Sequence, residues 1–135
     1  MLAGGGAAKF GGDLSNGFYI QPTILKGHNK MRVFQEEIFG PVVTVQRFKT
    51  DDEAIALANN TPYGLASVVF SQNIGRINRA TAEIQAGIVW VNCWRVRDLR
   101  TPFGGTKQSG VGREGGLEAI KFFTEPKNVC LALRP

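Results

Sequence analysis

Cysteine and histidine are scarce in this chain: Cys93, Cys130 and the single His28 are all it has among 135 residues. So few soft ligands, with no metal-ligand spacing, exclude a zinc module and imply no bound metal. Two distant thiols suit a reducing compartment and need no disulfide. A nucleophilic cysteine also lacks support, because a reactive thiolate needs an electropositive site and a partner base, and nothing links His28 to Cys93. Both thiols read as structural, with Cys130 a small buried or edge residue. No apolar run approaches the roughly 20 residues of a membrane helix, and no basic-then-apolar leader follows Met1. We expect a soluble, cytoplasmic chain with no membrane partner and no internal repeat.

What is present suffices for one domain at most. With 43% hydrophobic residues the chain can bury a core, at roughly two-thirds of its unfolded surface for this length. The net charge is +5, yet the basic residues form no run interleaved with aromatics, so nucleic acid is not an expected partner. They gather instead as Arg95, Arg97, Arg100, Lys107 and Arg113, opposed only by Asp98 before Glu114. Such a cluster suits a small anion, carboxylate or phosphate. The plainer alternative is that part of this charge faces an acidic surface in the remainder of a longer polypeptide or in a partner subunit.

The middle of the chain alternates strand and helix patterns. Val42 to Phe48 is rich in β-branched residues. Thr50-Asp51-Asp52-Glu53 forms a capping box, opening a helix that buries Ala54, Leu57 and Ala58 and ends at Asn60-Thr61-Pro62. Ala66 to Phe70 is a second strand. Ile74, Ile77, Thr81 and Ile84 then share a helix face on which the Thr81 methyl packs, before Gly87 stops the helix. Ile88 to Asn92 is a third strand. The apolar runs Val68-Val69-Phe70 and Ile88-Val89-Trp90-Val91 suit a parallel sheet buried on both faces. The expected fold is therefore α/β, a mostly parallel sheet with helices on both faces. A glycine-rich loop follows, then a helix around Leu117, Ile120 and Phe123, and Asn128 to Leu133 as a last strand. Residues 1–16, with Gly4-Gly5-Gly6 and Gly11-Gly12, read as loose.

Gly110-Val111-Gly112-Arg113-Glu114-Gly115 matches the glycine pattern of dinucleotide-binding loops, but Thr106-Lys107-Gln108-Ser109 before it is no strand. These glycines are assigned to a tight loop with positive φ. Lys107 reads as solvated or loop-fixing.

Two motifs decide the matter: Glu36-Glu37-Ile38-Phe39-Gly40-Pro41, and Pro102-Phe103-Gly104-Gly105 running through Lys107, Ser109-Gly110 and Gly112-Arg113-Glu114. With Gly17-Phe18-Tyr19-Ile20-Gln21-Pro22-Thr23-Ile24 upstream and Gly87-Ile88-Val89-Trp90-Val91-Asn92 between, essentially the whole chain resembles the C-terminal part of an aldehyde dehydrogenase. The run Asn92 to Phe103 is most similar to the hydroxymuconic semialdehyde dehydrogenases of aromatic-ring degradation.

That resemblance implies an NAD-dependent oxidation of an aldehyde to the acid. A cysteine thiolate adds to the aldehyde, hydride passes to the nicotinamide, and a glutamate-activated water hydrolyses the thioester. In the family, the nucleophile, the base and the dinucleotide-binding fold lie N-terminal to the part matched here. The chain would then carry no catalytic residue of its own. Residues 17–125 would be a portion of the catalytic domain, and 126–135 an oligomerisation strand and tail.

By resemblance, Glu37 holds the nicotinamide ribose, whose cis hydroxyls suit the two oxygens of one carboxylate, and Phe39 lies near the nicotinamide. On composition alone both glutamates are merely the solvated end of a helix before a Gly-Pro turn. The loop carrying Trp94, Arg97, Arg100 and Phe103 would line the substrate tunnel. A carboxylate-bearing semialdehyde would meet an arginine fork there, Arg97 first and Arg100 second. Arg95 is less expected at that place, and Arg97 paired with Asp98 or with backbone is the competing reading. The isolated chain is expected to be inactive and to bind NAD too weakly to measure; the contacts that choose between NAD and NADP lie outside it. An unpaired C-terminal strand edge would favour a homo-oligomer. A non-enzymatic module that joins intact subunits is the alternative.

Overall fold

A computed structural model describes residues 1–133. Where the length predicts a single domain, the chain divides into two compact units, Met1–Thr61 and Pro62–Pro135. Each is built on a two-stranded parallel ladder with a helix in the crossover.

In the first unit β1 (Thr23–Lys26) pairs with β2 (Val42–Val45), Thr23 opposite Val42. The sequence reading missed β1 and ran β2 on to Phe48. The one-turn helix α1 (Arg32–Gln35) crosses between them. After β2 comes α2 (Asp51–Asn59), opened by the expected cap: the Glu53 amide donates to Thr50 Oγ1 at 3.2 Å. The Glu53 carboxylate reaches back one residue beyond the cap, accepting from the Lys49 amide at 2.7 Å. Ile55 is the buried residue of α2; Ala54 and Leu57 are half-buried and Ala58 is exposed. The expected face instead borders a hollow shared with Phe34 and Phe48.

Residues 1–16, expected to be loose, are tied down at their start. Ala3 bridges to Ile24 and Ala7 to Ile20, both antiparallel, and the Gly5 amide donates to Thr23 Oγ1 at 2.9 Å. Sequence composition registers the glycines but not these long-range bonds.

In the second unit β3 (Ala66–Val69) pairs in parallel with β4 (Ile88–Val91), Ala66 opposite Ile88, across α3 (Ile74–Glu83). Asn73 caps α3, its Oδ1 accepting from the Arg76 amide at 3.0 Å. Ala80 and Trp90 are the buried apolar residues. Thr81, expected to pack, is exposed, and its hydroxyl donates back to the Ile77 carbonyl at 2.9 Å. The last helix, α4 (Gly116–Phe123), leaves Leu117, Ile120, Phe122 and Phe123 exposed.

Asn128 to Leu133, expected as a strand, has no ladder partner among the described residues, and Val129, Leu131 and Leu133 are exposed. A strand exists only where a second backbone accepts and donates its bonds. Arg134 and Pro135 lie outside the described residues. Among those residues no helix is long and apolar enough to cross a membrane, and no group of three metal-ligating side chains occurs.

Candidate functional site

The first unit presents Glu37 and Phe39 on the loop between α1 and β2. The loop is anchored by amides: Gln35 Nε2 donates to the Asn29 carbonyl at 2.7 Å and to the Asn60 carbonyl at 2.9 Å. Asn29 Nδ2 donates to the Leu57 carbonyl at 3.2 Å, so these side chains satisfy backbone acceptors at the C-terminal end of α2. The two adjacent glutamates differ. Glu36 accepts from Arg32 Nε at 2.6 Å, and that hydrogen bond holds its carboxyl below the usual carboxylate range. Glu37 is exposed and has no polar partner among the described residues.

Phe39 takes the left-handed conformation, φ 58°, with its side chain 91% exposed. A bulky residue at positive φ is an outlier costing about 1–3 kcal/mol, and such strain clusters at functional positions. Glu37 and Phe39 line one hollow of about 340 Å³ with Val33, Phe34 and Val42.

The second unit carries the arginine loop, which leaves the carboxyl end of β4. Asn92, at φ 52°, turns the chain and continues the ladder with its side chain. Its Oδ1 accepts from the Ser71 amide at 2.9 Å and its Nδ2 donates to the Ser71 carbonyl at 2.7 Å. Buried Trp90 donates from Nε1 to the Val96 carbonyl at 2.7 Å and meets Trp94 edge to face, centroids 5.0 Å apart. Trp94 is therefore packing as well as exposed. Arg95 is a further non-glycine residue at positive φ, 60°.

Arg97 has a partner that the sequence reading did not weigh. Its Nη2 donates to Glu114 Oε1 at 2.6 Å, and its guanidinium lies 4.2 Å from the Phe103 ring centroid. Asp98 is taken by Arg100, whose Nε and Nη2 donate to the carboxylate at 2.9 Å and 2.5 Å. That hydrogen bond from Arg100, joined by the Arg100 amide, lowers the Asp98 carboxyl and raises the Arg100 guanidinium in turn.

Phe103 and Glu114 also form an antiparallel bridge. With Leu65, Arg113, Phe122 and Phe123 they line a hollow of about 430 Å³. The glycine pattern 110–115 is a loop, not a phosphate cradle following a strand. Its positive φ falls at Gly115, 94°, whereas Gly110 at 163° is extended. Cys93 is half-buried and Cys130 exposed rather than buried, both free thiols. Sequence reasoning missed Asn92 and Glu114. The signals for Glu114 were its place as the acid closing the basic cluster and its position at the end of the second motif.

The arginine loop leaves the carboxyl end of a parallel ladder, the end at which α/β folds commonly bind ligands. The Aldehyde dehydrogenase family matches residues 1–129. A 2-hydroxymuconic semialdehyde dehydrogenase of Pseudomonas putida is 49% identical over 134 residues, which are 98% of this chain and 28% of that protein. Among solved structures, HpcC from Thermus thermophilus superposes with a TM-score of 0.92 at 49% identity, over 99% of this chain and 27% of its own. PnpE, in complex with nicotinamide adenine dinucleotide, gives 0.86 at 50% identity over 92% and 25%. The chain thus spans little more than a quarter of the relatives it matches, and it belongs to the aldehyde dehydrogenase family.

Proposed function

We propose that this chain forms one wall of the active-site cleft of an NAD(P)-dependent aldehyde dehydrogenase acting on a carboxylate-bearing semialdehyde, of 2-hydroxymuconic type. The observation that carries the cofactor side is the contrast between Glu36 and Glu37. One carboxylate is spent on Arg32; the other stands unpaired beside strained Phe39. An unpaired carboxylate is the acceptor pair a ribose diol needs, and an exposed ring beside it is a surface for a flat heterocycle. The cofactor, when bound, accepts the hydride; Glu37 and Phe39 only fix where its ring lies.

On the substrate side, Trp94 and Phe103 offer apolar walls and the arginine loop offers charge. Arg100 is 89% exposed in its pair with Asp98. An exposed pair between near neighbours is worth little, so a substrate carboxylate can exchange with Asp98 at small cost. Arg97 is less free, being held by Glu114 and Phe103.

The chain alone is expected to be inactive. Large apolar side chains stand exposed within each unit, Phe18 and Ile38 in the first and Val111 and Phe123 in the second, consistent with a wall that needs its other half. The exposed apolar residues from Phe122 to Leu133 also support a homo-oligomer contact. They equally favour the second reading, a non-catalytic module that joins intact subunits. Size-exclusion chromatography with a full-length relative separates these, since a module co-elutes with it and a self-contained oligomer does not.

The test of the cofactor assignment replaces the corresponding part of the Pseudomonas putida relative with this chain and compares E37Q with E36Q. Loss of charge-assisted bonds to the ribose should raise KM for NAD about tenfold or more in E37Q. E36Q should stay within about twofold. Equal effects of the two would end the assignment.

A further inference from the structure

Once Asp98 is paired with Arg100, the acid facing Arg97 is Glu114. Three contacts close on one another there. Arg97 Nη2 donates to Glu114 Oε1 at 2.6 Å, and the same guanidinium lies over Phe103 at 4.2 Å. The backbones of Phe103 and Glu114 exchange hydrogen bonds at 2.7 Å in both directions. The ring under the cation and the carboxylate at its edge are therefore fixed to each other by main chain, not by side-chain chance. Arg97 is the less exposed partner of the ion pair, its side chain at 33% against 63% for Glu114. One residue earlier, the Val96 carbonyl is held by the Trp90 indole at 2.7 Å.

Both arginines meet a carboxylate, but Arg97 is the more enclosed, its side chain 33% exposed against 89% for Arg100. It also has one face on an aromatic ring whose backbone is bonded to that of its carboxylate partner, so it cannot exchange one contact without disturbing the other. These are the contacts of a fastener. We infer that Glu114 is a positioning residue: with Phe103 it clamps Arg97, and through Arg97 it holds residues 93–103 in the conformation that presents Arg100. This rests on the proposed function only for what the loop is for. The clamp is tested with neither substrate nor cofactor, so its failure and the failure of the substrate assignment are told apart.

The experiment is hydrogen exchange of amides 93–103 in the full chain for E114Q, R97Q, the double variant and R97K, with the α2 amides as internal reference. Each single glutamine variant should speed loop exchange about three- to tenfold, the scale of an exposed ion pair with a cation–ring contact. The double variant should be no faster than the worse single one, because one clamp is lost only once. R97K should recover part of the protection, since lysine restores the charge pair but not the planar contact. The exciton band of the Trp90–Trp94 pair in circular dichroism should weaken in the glutamine variants. Wild-type exchange in E114Q, additive effects, or R97K no better than R97Q would overturn the clamp. Should E114Q also strip protection from the β3–β4 ladder, the charge-swapped R97E/E114R variant decides. Recovered loop protection supports the clamp, and none overturns it.

Discussion

Replacing Trp90 by phenylalanine removes one N–H and one ring from the base of the arginine loop, and the structure sets the size of the effect. The indole N–H donates to the Val96 carbonyl at 2.7 Å, and its loss leaves that carbonyl to find water, a net cost of about 1 kcal/mol. The edge-to-face contact with Trp94, at 5.0 Å and 66°, loses its geometry for about 0.5 kcal/mol more. Trp90 is only 9% exposed, so the smaller ring also forfeits some buried apolar area, about 0.5–1 kcal/mol at ~25 cal/mol per Å². Together these come to about 2 kcal/mol, close to a 30-fold change in an opening equilibrium. Native-state hydrogen exchange of the amides from Val91 to Arg97 reads that change directly. Acceleration of less than about threefold, with Trp94 emission unchanged, would refute the idea that Trp90 anchors the loop.

Other outcomes follow from single contacts. Gly115, at φ 94° and with the Thr101 carbonyl where a Cβ would stand, should tolerate alanine poorly. G115A is expected to destabilise the second unit by about 1–3 kcal/mol in urea unfolding, and an unchanged midpoint would contradict this. The Asp98 carboxyl is depressed in the folded chain by Arg100. Its stabilising pair is therefore present above the ordinary aspartate value, about 3.9, and lost as pH falls through the lower folded value. In an E114Q background, where the loop's other carboxylate partner is removed, loop exchange corrected for intrinsic rates should rise with acid across that window and stay flat once D98N is added; identical profiles would contradict the pairing. In the chimera, R100Q should lower kcat/KM for a carboxylate-bearing semialdehyde about tenfold relative to acetaldehyde. An equal loss for both would remove Arg100 from the substrate site.

Local rules carried much of the fold. The Thr50 cap, the stop before Pro62 and the apolar runs at Ala66 and Ile88 act within a few residues, and the structure places elements at each. What failed was long-range. Nothing near Ala3 announces a bridge to Ile24, and β1, as long as the other strands, carries no valine where each of them has two or more. Helix faces were read from spacing as if each needed one apolar neighbour, yet Ile55 rather than Ala58 is buried, and α4 keeps its apolar residues in the open. At the site, residue type pointed to the arginine loop, but not to the distribution of its ion pairs. The clamp depends on Phe103 and Glu114 meeting across the glycine-rich turn. Spacing alone does not encode that meeting.

The central claim is that these residues shape a dehydrogenase cleft without performing its chemistry. A single assay series tests it most directly: NADH formation from 2-hydroxymuconic semialdehyde by the chain alone, and by the Pseudomonas putida relative carrying this chain in place of its own corresponding part. The expected result is no turnover above blank for the first and clear turnover for the second. Turnover by the chain alone, or a folded chimera that fails to oxidise the semialdehyde, would contradict it.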